Sequence, residues 1–365
     1  MKKIAVIGDL PSGGGSTVFN YQTKALMRKY EVNMYFENNS SRKDKGIVNY
    51  YIAVFHDIWK NIKLSKEINR NNSLLVAYQS WLTKSPIIFP LIKIPIIYIC
   101  NEVPREHYDK FLRETHTIKE MIINNILLIP IRIIDYLNIA LSRNNLSIIT
   151  LSQNSSELIK KTYRIIPRII YPGISDIKYS NNLSINNRKN QIVTVGAINK
   201  YKNQHFVLKV VSKIQERYRP IVILVGNGGD SEYIRKLKEF AKIHNIILDI
   251  KININSKELI KIYSESKALM YSPVNEPFGL VVIEAMMAGL PLIVSKNGGG
   301  YTEIINKNNG YILENEPKLW ANTYTSLILD PLEWSKYSNF NIKYAKKYTD
   351  IKSTSNLIKH IESII

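Results

Sequence analysis

A chain of 365 residues is long enough for two ordinary domains, and its 45% hydrophobic and 22% charged residues are the balance of a globular protein, not a fibrous or disordered one. Fifty Lys and Arg against thirty Asp and Glu leave a net charge of +20. That excess favours nucleic acid, an anionic membrane face or a phosphorylated small molecule as partner, while the single cysteine, Cys100, and six scattered histidines exclude a disulfide framework and a recognisable zinc site.

In chain order, short apolar β-branched runs predict strands at Lys3–Gly8, Val32–Phe36, Leu74–Tyr78, Ile94–Ile99, Ser147–Leu151 and Arg168–Tyr171. A second set follows at Gln191–Val195, Pro220–Val225, Ile246–Lys251, Ala268–Tyr271, Leu290–Val294 and Gly310–Leu313. Runs such as Ile4-Ala5-Val6-Ile7 are apolar on both alternations, as in strands buried on both faces of a parallel sheet. Helices predicted at Phe19–Lys29, His205–Tyr218, Ser231–His244 and Ser256–Glu265 complete βαβ units. The Pro172-Gly173 turn and the polar stretch Ser175–Asn190 read as a connection.

The expected architecture is therefore α/β: two tandem Rossmann-like, doubly wound domains facing across a cleft. Their expected bounds are 1–174 and 191–336, joined by 175–190, with a helical segment 337–365 that crosses back to the first.

The apolar run Ile4–Ile7 ends at Gly8-Asp9, too soon for a signal peptide. Met121–Ile134 is interrupted by Asn124, Asn125, Pro130 and Arg132 and is not expected to span a membrane. A cytoplasmic protein is expected. Met121–Leu141 reads as a core helix pair broken at Pro130, in preference to an amphipathic surface helix facing a membrane or a lipid-linked acceptor.

The most informative stretch is Glu276-Pro277-Phe278-Gly279-Leu280-Val281-Val282-Ile283-Glu284-Ala285-Met286, which follows a predicted strand. A helix starting near Gly279 or Leu280 offers unpaired N–H groups to a diphosphate, and Gly279 lets backbone come close. Glu276 and Glu284 then bracket a ligand and accept hydrogen bonds from sugar and ribose hydroxyls. The plainer alternative is a turn followed by a core helix, with Glu284 merely solvated.

This segment resembles the double-glutamate motif of glycosyltransferase family 4 (glycosyltransferases group 1), whose members have the GT-B fold. Ala285–Pro291, Gly299-Gly300-Tyr301-Thr302-Glu303-Ile304-Ile305, Gly310–Leu313 and the helix Leu259–Ala268 resemble neighbouring blocks of the family. Val195–Asn203 resembles its Gly-Arg-x-x-x-x-Lys block, with Lys202 at the lysine position and Ala197 where relatives carry arginine.

The resemblance implies a retaining transferase that moves a sugar from a UDP- or GDP-sugar to a saccharide or lipid-linked acceptor. Neither a resident cofactor nor a metal is expected, the nucleotide-sugar being a co-substrate. Peripheral contact with an anionic membrane is a further expectation, and nucleic acid is not expected as a partner.

Within that frame Lys202, Glu276 and Glu102 are the candidate catalytic residues. Donor contacts are assigned to Gly14 and Gly15 of the loop Pro11–Ser16, to Lys202, to Gly226 of the turn Gly226–Asp230, and to Glu276, Phe278, Gly279, Leu280 and Glu284. Both glycine-rich loops can equally be tight turns. Asn101, standing where relatives often carry histidine, Glu102 and Arg105 are candidate acceptor contacts, and Cys100 reads as buried packing. Asp135 and Ser152–Ser155 read as helix and cap residues. The competing readings are a GT-B-like nucleotide-sugar epimerase or phosphorylase and, more distantly, a basic nucleic-acid-binding protein.

Overall fold

The computed structural model describes residues 2–8, 13–36, 60–80, 83–104, 118–175 and 184–365, with the backbone alone for 118–128. The chain divides into two compact units, Met1–Tyr171 with Asp350–Ile365, and Pro172–Thr349.

The first unit is built on a parallel six-stranded sheet in the order β2-β1-β3-β4-β5-β6. Its strands are β1 (Lys3–Ile7), β2 (Glu31–Tyr35), β3 (Leu74–Tyr78), β4 (Ile96–Ile99), β5 (Leu146–Thr150) and β6 (Arg168–Ile169). Residues of β1, β3 and β4 alternate between two apolar clusters, Ala5, Leu75 and Tyr98 in one, Ile4, Val76 and Ile97 in the other. That two-sided burial is why these runs are continuously apolar.

Helix α1 (Gly14–Met27) starts five residues earlier than Phe19. Gly13 N–H donates to Ser16 Oγ, which donates back to Gly13 O, so the glycines form the first helical turn and not a free loop. Residues 60–71 form α2.

Helix α3 (Ile118–Leu141) is continuous, with Pro130 inside it, where a break was expected. A proline there costs about 3 kcal/mol. The segment beyond it is fastened to the loop after β3: Asp135 accepts from Ser85 N–H and Oγ at 2.8 and 2.6 Å, and Asn138 donates to Ser85 O. Ile131, Asp135, Asn138 and Ile139 face the unit, but Ile129, Ile133, Tyr136, Leu137 and Leu141 are exposed, so this is no fully buried helix. Helix α4 (Gln153–Tyr163) is capped by Ser152, whose Oγ accepts from Ser155 N–H.

The second unit holds β7 (Gln191–Val195), β8 (Ile221–Gly226), β9 (Leu248–Ile252), β10 (Ala268–Tyr271), β11 (Leu292–Ser295) and β12 (Gly310–Leu313) in the parallel order β12-β11-β10-β7-β8-β9. Helices α5 (Gln204–Ser212), α6 (Ser231–Ile243), α7 (Ser256–Glu265), α8 (Leu280–Met287), α9 (Pro317–Leu329) and α10 (Pro331–Ala345) connect and cover them. The helix expected to run to Tyr218 ends at Ser212, and Glu216–Tyr218 is a separate 3₁₀ turn.

Tyr337 lies in α10 and belongs to the second unit, so the returning segment is shorter than expected and starts at Asp350. Trp334, buried in α10, donates its indole N–H to Lys267 O and holds that helix to the second sheet. Helix α11 (Asp350–Glu362) instead buries Leu357 and Ile361 among Ile4, Leu26 and Val76 of the first unit. Its Ser353 accepts from Tyr21, and Glu362 pairs with Lys29.

Candidate active site

In the second sheet β7 and β10 are neighbours but far apart in sequence, and the chain proceeds outward from each in opposite directions. Such a switch point leaves the loops after its strands to form a crevice at their carboxyl ends, where α/β sheets take ligands. Lys202 follows β7, and Glu276 and Glu284 follow β10.

Lys202 closes a 3₁₀ turn, Lys200–Lys202, whose cap is Asn199: its side chain accepts from Lys202 N–H at 3.1 Å. The Lys202 Nζ meets both carboxylate oxygens of Glu276, at 2.7 and 2.6 Å. The two side chains are only 22% and 15% exposed, so this ion pair is shielded from solvent. Gly226 is buried against the loop after β7, since a Cβ there would lie 2.9 Å from Gly196 O, and packing accounts for that glycine.

The backbone carrying Glu276 is laced to the loop after β11. Glu276 N–H donates to Gly298 O and Gly300 N–H donates to Glu276 O, each at 2.8 Å. Gly299 makes this possible: its φ is +85°, and a Cβ there would lie 2.6 Å from Glu276 O. Tyr301, fully buried, donates to Pro273 O at 2.6 Å and packs edge-on against Tyr271. Phe278 is buried, with its ring tilted against that of Tyr348 at 6.4 Å. Gly279 caps α8 in the left-handed region at φ +87°, and Leu280 opens the helix.

Glu284 sits one turn into α8, half-buried, and its Oε2 accepts from the Tyr263 hydroxyl at 2.8 Å. Burial pushes its carboxyl above the usual carboxylate range, and the Tyr263 hydrogen bond pulls it partly back. Tyr263 comes from α7. Arg188 fastens the C-terminal ends of both helices: it donates to Tyr263 O, Ser266 O and Ala288 O at 3.2, 2.9 and 2.8 Å. Its guanidinium also lies over the Trp334 ring, and burial lowers its pKa to about 10.

Tyr263, Tyr301 and Arg188 are the residues that sequence reasoning passed over. A tyrosine on the apolar side of the amphipathic α7 is the one local sign of Tyr263, and Arg188 was read as part of a polar connection.

In the first unit Gly14 and Gly15 form the exposed start of α1, whereas Pro11 and Ser12 lie outside the described residues. Glu102 follows β4 and pairs with Lys84 at 3.1 Å, a partner not anticipated. Asn101 O accepts from Ser155 Oγ, and Asn101 Oδ1 is buried with no hydrogen-bond partner among the described residues. Cys100 is a buried free thiol, pushed up to about 12 by burial. Arg105 lies outside the described residues. Among the described residues, no three His, Cys, Asp or Glu side chains cluster as metal ligands, and no helix is long and apolar enough to cross a membrane.

Comparison with known proteins bears on the family likeness and the fold. Residues 175–348 match the family model of glycosyl transferases group 1. An uncharacterized glycosyltransferase of Methanocaldococcus jannaschii is 29% identical over 39% of this chain and 40% of its own length. The O-antigen chain mannosyltransferase RfbU of Salmonella typhimurium is 24% identical over 54% of this chain and 55% of its own. The chain thus spans about half, or less, of the length of these relatives. Among solved structures, Anabaena HepE in complex with UDP-glucose superposes with a TM-score of 0.72 at 15% identity, covering all of both chains. Residues 175–348, almost all of the second unit, are thus similar to the glycosyl transferases group 1 family, and the chain as a whole has the GT-B fold.

Proposed function

We propose that this protein is a retaining glycosyltransferase that moves a sugar from a UDP- or GDP-sugar to a saccharide or lipid-linked acceptor. The observation that carries the reading is the meeting of Lys202, from the loop after β7, with Glu276, from the loop after β10, at the sheet's switch point, with Glu284 on the helix that follows Glu276. A cation and two carboxylates at the carboxyl ends of parallel strands suit a ligand that is a diphosphate at its centre and a polyol at both ends.

In this proposal Lys202 and the backbone N–H groups of Phe278, Gly279 and Leu280 bind the donor's diphosphate and meet the charge that grows on it as the sugar departs. The Lys202–Glu276 pair must then loosen, since the diphosphate competes with the carboxylate for the ammonium. Glu276, so released, accepts from hydroxyls of the donor sugar, and Glu284 from the ribose. Charge neutralisation by these groups makes a metal unnecessary to the reading. Retention follows if the acceptor attacks the face that the phosphate leaves.

Gly14 and Gly15 are proposed to offer amides to the donor, and Asn101 and Glu102 to meet the acceptor. The UDP-glucose held by HepE and the O-antigen chain extended by RfbU support a nucleotide-sugar and a glycan. A cytoplasmic protein in peripheral contact with a membrane face belongs to the same proposal.

The test is a thermal-shift panel of UDP, GDP, ADP and their sugar conjugates in EDTA, on the wild type and on Glu284→Ala. A rise for one nucleotide family, lost in the variant, is expected. No rise with any nucleotide would overturn the reading.

A further inference from the structure

The exposed apolar residues of α3, Ile129, Ile133, Tyr136, Leu137 and Leu141, are spaced i, i+4, i+7, i+8 and i+12 and so share one side of the helix. Each is between 44 and 68% exposed, an arrangement that isolated surface leucines do not produce. Beside the stripe, between α3 and α4, lies a cavity of about 400 Å³. Arg132, Asp135, Tyr136, Lys161 and Tyr163 line it, so Tyr136 is common to the stripe and the cavity.

The charge around this face is one-sided. Arg132 and Lys161 stand at the cavity, and Arg143, Lys160 and Arg164 are exposed nearby, with Arg143 donating to Arg164 O. The acid at the cavity, Asp135, is buried, and its carboxylate already accepts from Ser85 N–H, Ser85 Oγ and the Tyr163 hydroxyl. Glu157 is the one acid of α4, and it accepts from Gln153.

From this juxtaposition we infer that the stripe and the cavity form a docking site for an anionic phospholipid bilayer. The apolar side chains enter the interfacial zone, and a lipid phosphate sits at Arg132 and Lys161. A second copy of the chain is the poorer occupant, because pairing this face with itself would set its cations against one another. Nucleic acid is also poorer, since its phosphates gain nothing from five exposed apolar side chains. The inference gives residues to the membrane contact proposed above and stands apart from the chemistry of sugar transfer.

The test is co-sedimentation of the full chain with vesicles of phosphatidylglycerol and phosphatidylcholine, and with phosphatidylcholine alone. Tight binding is expected only with phosphatidylglycerol present. Removing two cations in Arg132→Gln/Lys161→Gln should weaken it about 30-fold, from ~1 kcal/mol per basic residue near the surface. Ile133→Ser/Leu137→Ser should weaken it about tenfold or more, whereas Lys238→Gln/Lys242→Gln, on exposed positions of α6, should leave it within twofold.

Equal loss in Arg132→Gln/Lys161→Gln and Lys238→Gln/Lys242→Gln, with none in Ile133→Ser/Leu137→Ser, would reduce the effect to net charge and overturn the site. So would equal binding to both vesicle types, full competition by millimolar inorganic phosphate, or a dimer in sedimentation that Ile133→Ser/Leu137→Ser abolishes. A nucleotide thermal shift retained by the variants shows that they are folded and separates failure here from failure of the transferase reading.

Discussion

The Tyr263 hydroxyl donates a 2.8 Å hydrogen bond to Glu284, so a buried residue of α7 orients the carboxylate of α8. Hydrogen bonds to charged groups contribute about 1.5–3 kcal/mol. Tyr263→Phe keeps the ring and removes that bond. We expect KM for the nucleotide-sugar to rise about 3- to 10-fold with kcat within about twofold, measured by steady-state kinetics. The acid limb of the pH profile should also move to higher pH, because the hydrogen bond that favours the Glu284 carboxylate is gone.

The Lys202–Glu276 pair carries a second expectation. Lys202→Met leaves the carboxylate without its partner, and Glu276→Gln does the same to the ammonium. Each single variant should lower kcat/KM about 10²–10³-fold. In urea unfolding the pair should show a coupling of about 1–2 kcal/mol, with the double variant more stable than the sum of the single losses implies. Full activity in either single variant would remove that residue from the proposed chemistry.

The raised carboxyl of Glu284 fixes the sign of a pH effect. A folded state that holds this proton more tightly than the unfolded chain is favoured below the ordinary carboxylate range, near pH 4. That contribution fades as pH rises through the unfolded value to the raised folded one. Unfolding of wild type and Glu284→Gln, compared at several pH values, should therefore show the wild type losing ground as pH rises. Nucleotide affinity should move the opposite way, growing as the carboxylate ionises.

Gly299→Ala places a methyl group 2.6 Å from Glu276 O and 2.9 Å from Glu276 N, in a backbone at φ +85°. A loss of at least about 2 kcal/mol is expected in chemical denaturation. Surviving folded protein should show a diminished nucleotide thermal shift, because the same backbone carries Glu276. An unaltered shift would detach the loop after β11 from the site.

Much of the fold could be read from residue order. β3, β7, β10 and β12 lie where their apolar runs end against turn residues, and two-sided burial explains the absence of alternation in β3 and β10. Glu276 and Glu284 were legible because both lie on one short loop-helix segment. Lys202 was named through the resemblance, but its pairing with Glu276 was not legible, nor was Tyr263 as the partner of Glu284. Lys202 is 74 residues from Glu276 and Tyr263 is 21 from Glu284, and no local periodicity encodes which loop meets which. Pro130 misled for a similar reason: its cost is local, whereas the attachment of Asp135 and Asn138 to Ser85 is 50 residues away or more.

The return of α11 to the first unit makes that unit discontinuous in sequence and leaves its core dependent on a distant segment. Residues 172–349 are contiguous, so the second unit draws on one unbroken segment. The first unit, by contrast, takes in Leu357 and Ile361, which fill an apolar face beside Ile4, Leu26 and Val76. Each of those two side chains contributes about 1.5–3 kcal/mol on burial. Cutting the chain before Asp350 should therefore weaken the first unit, whose core it opens, and leave the second unit intact.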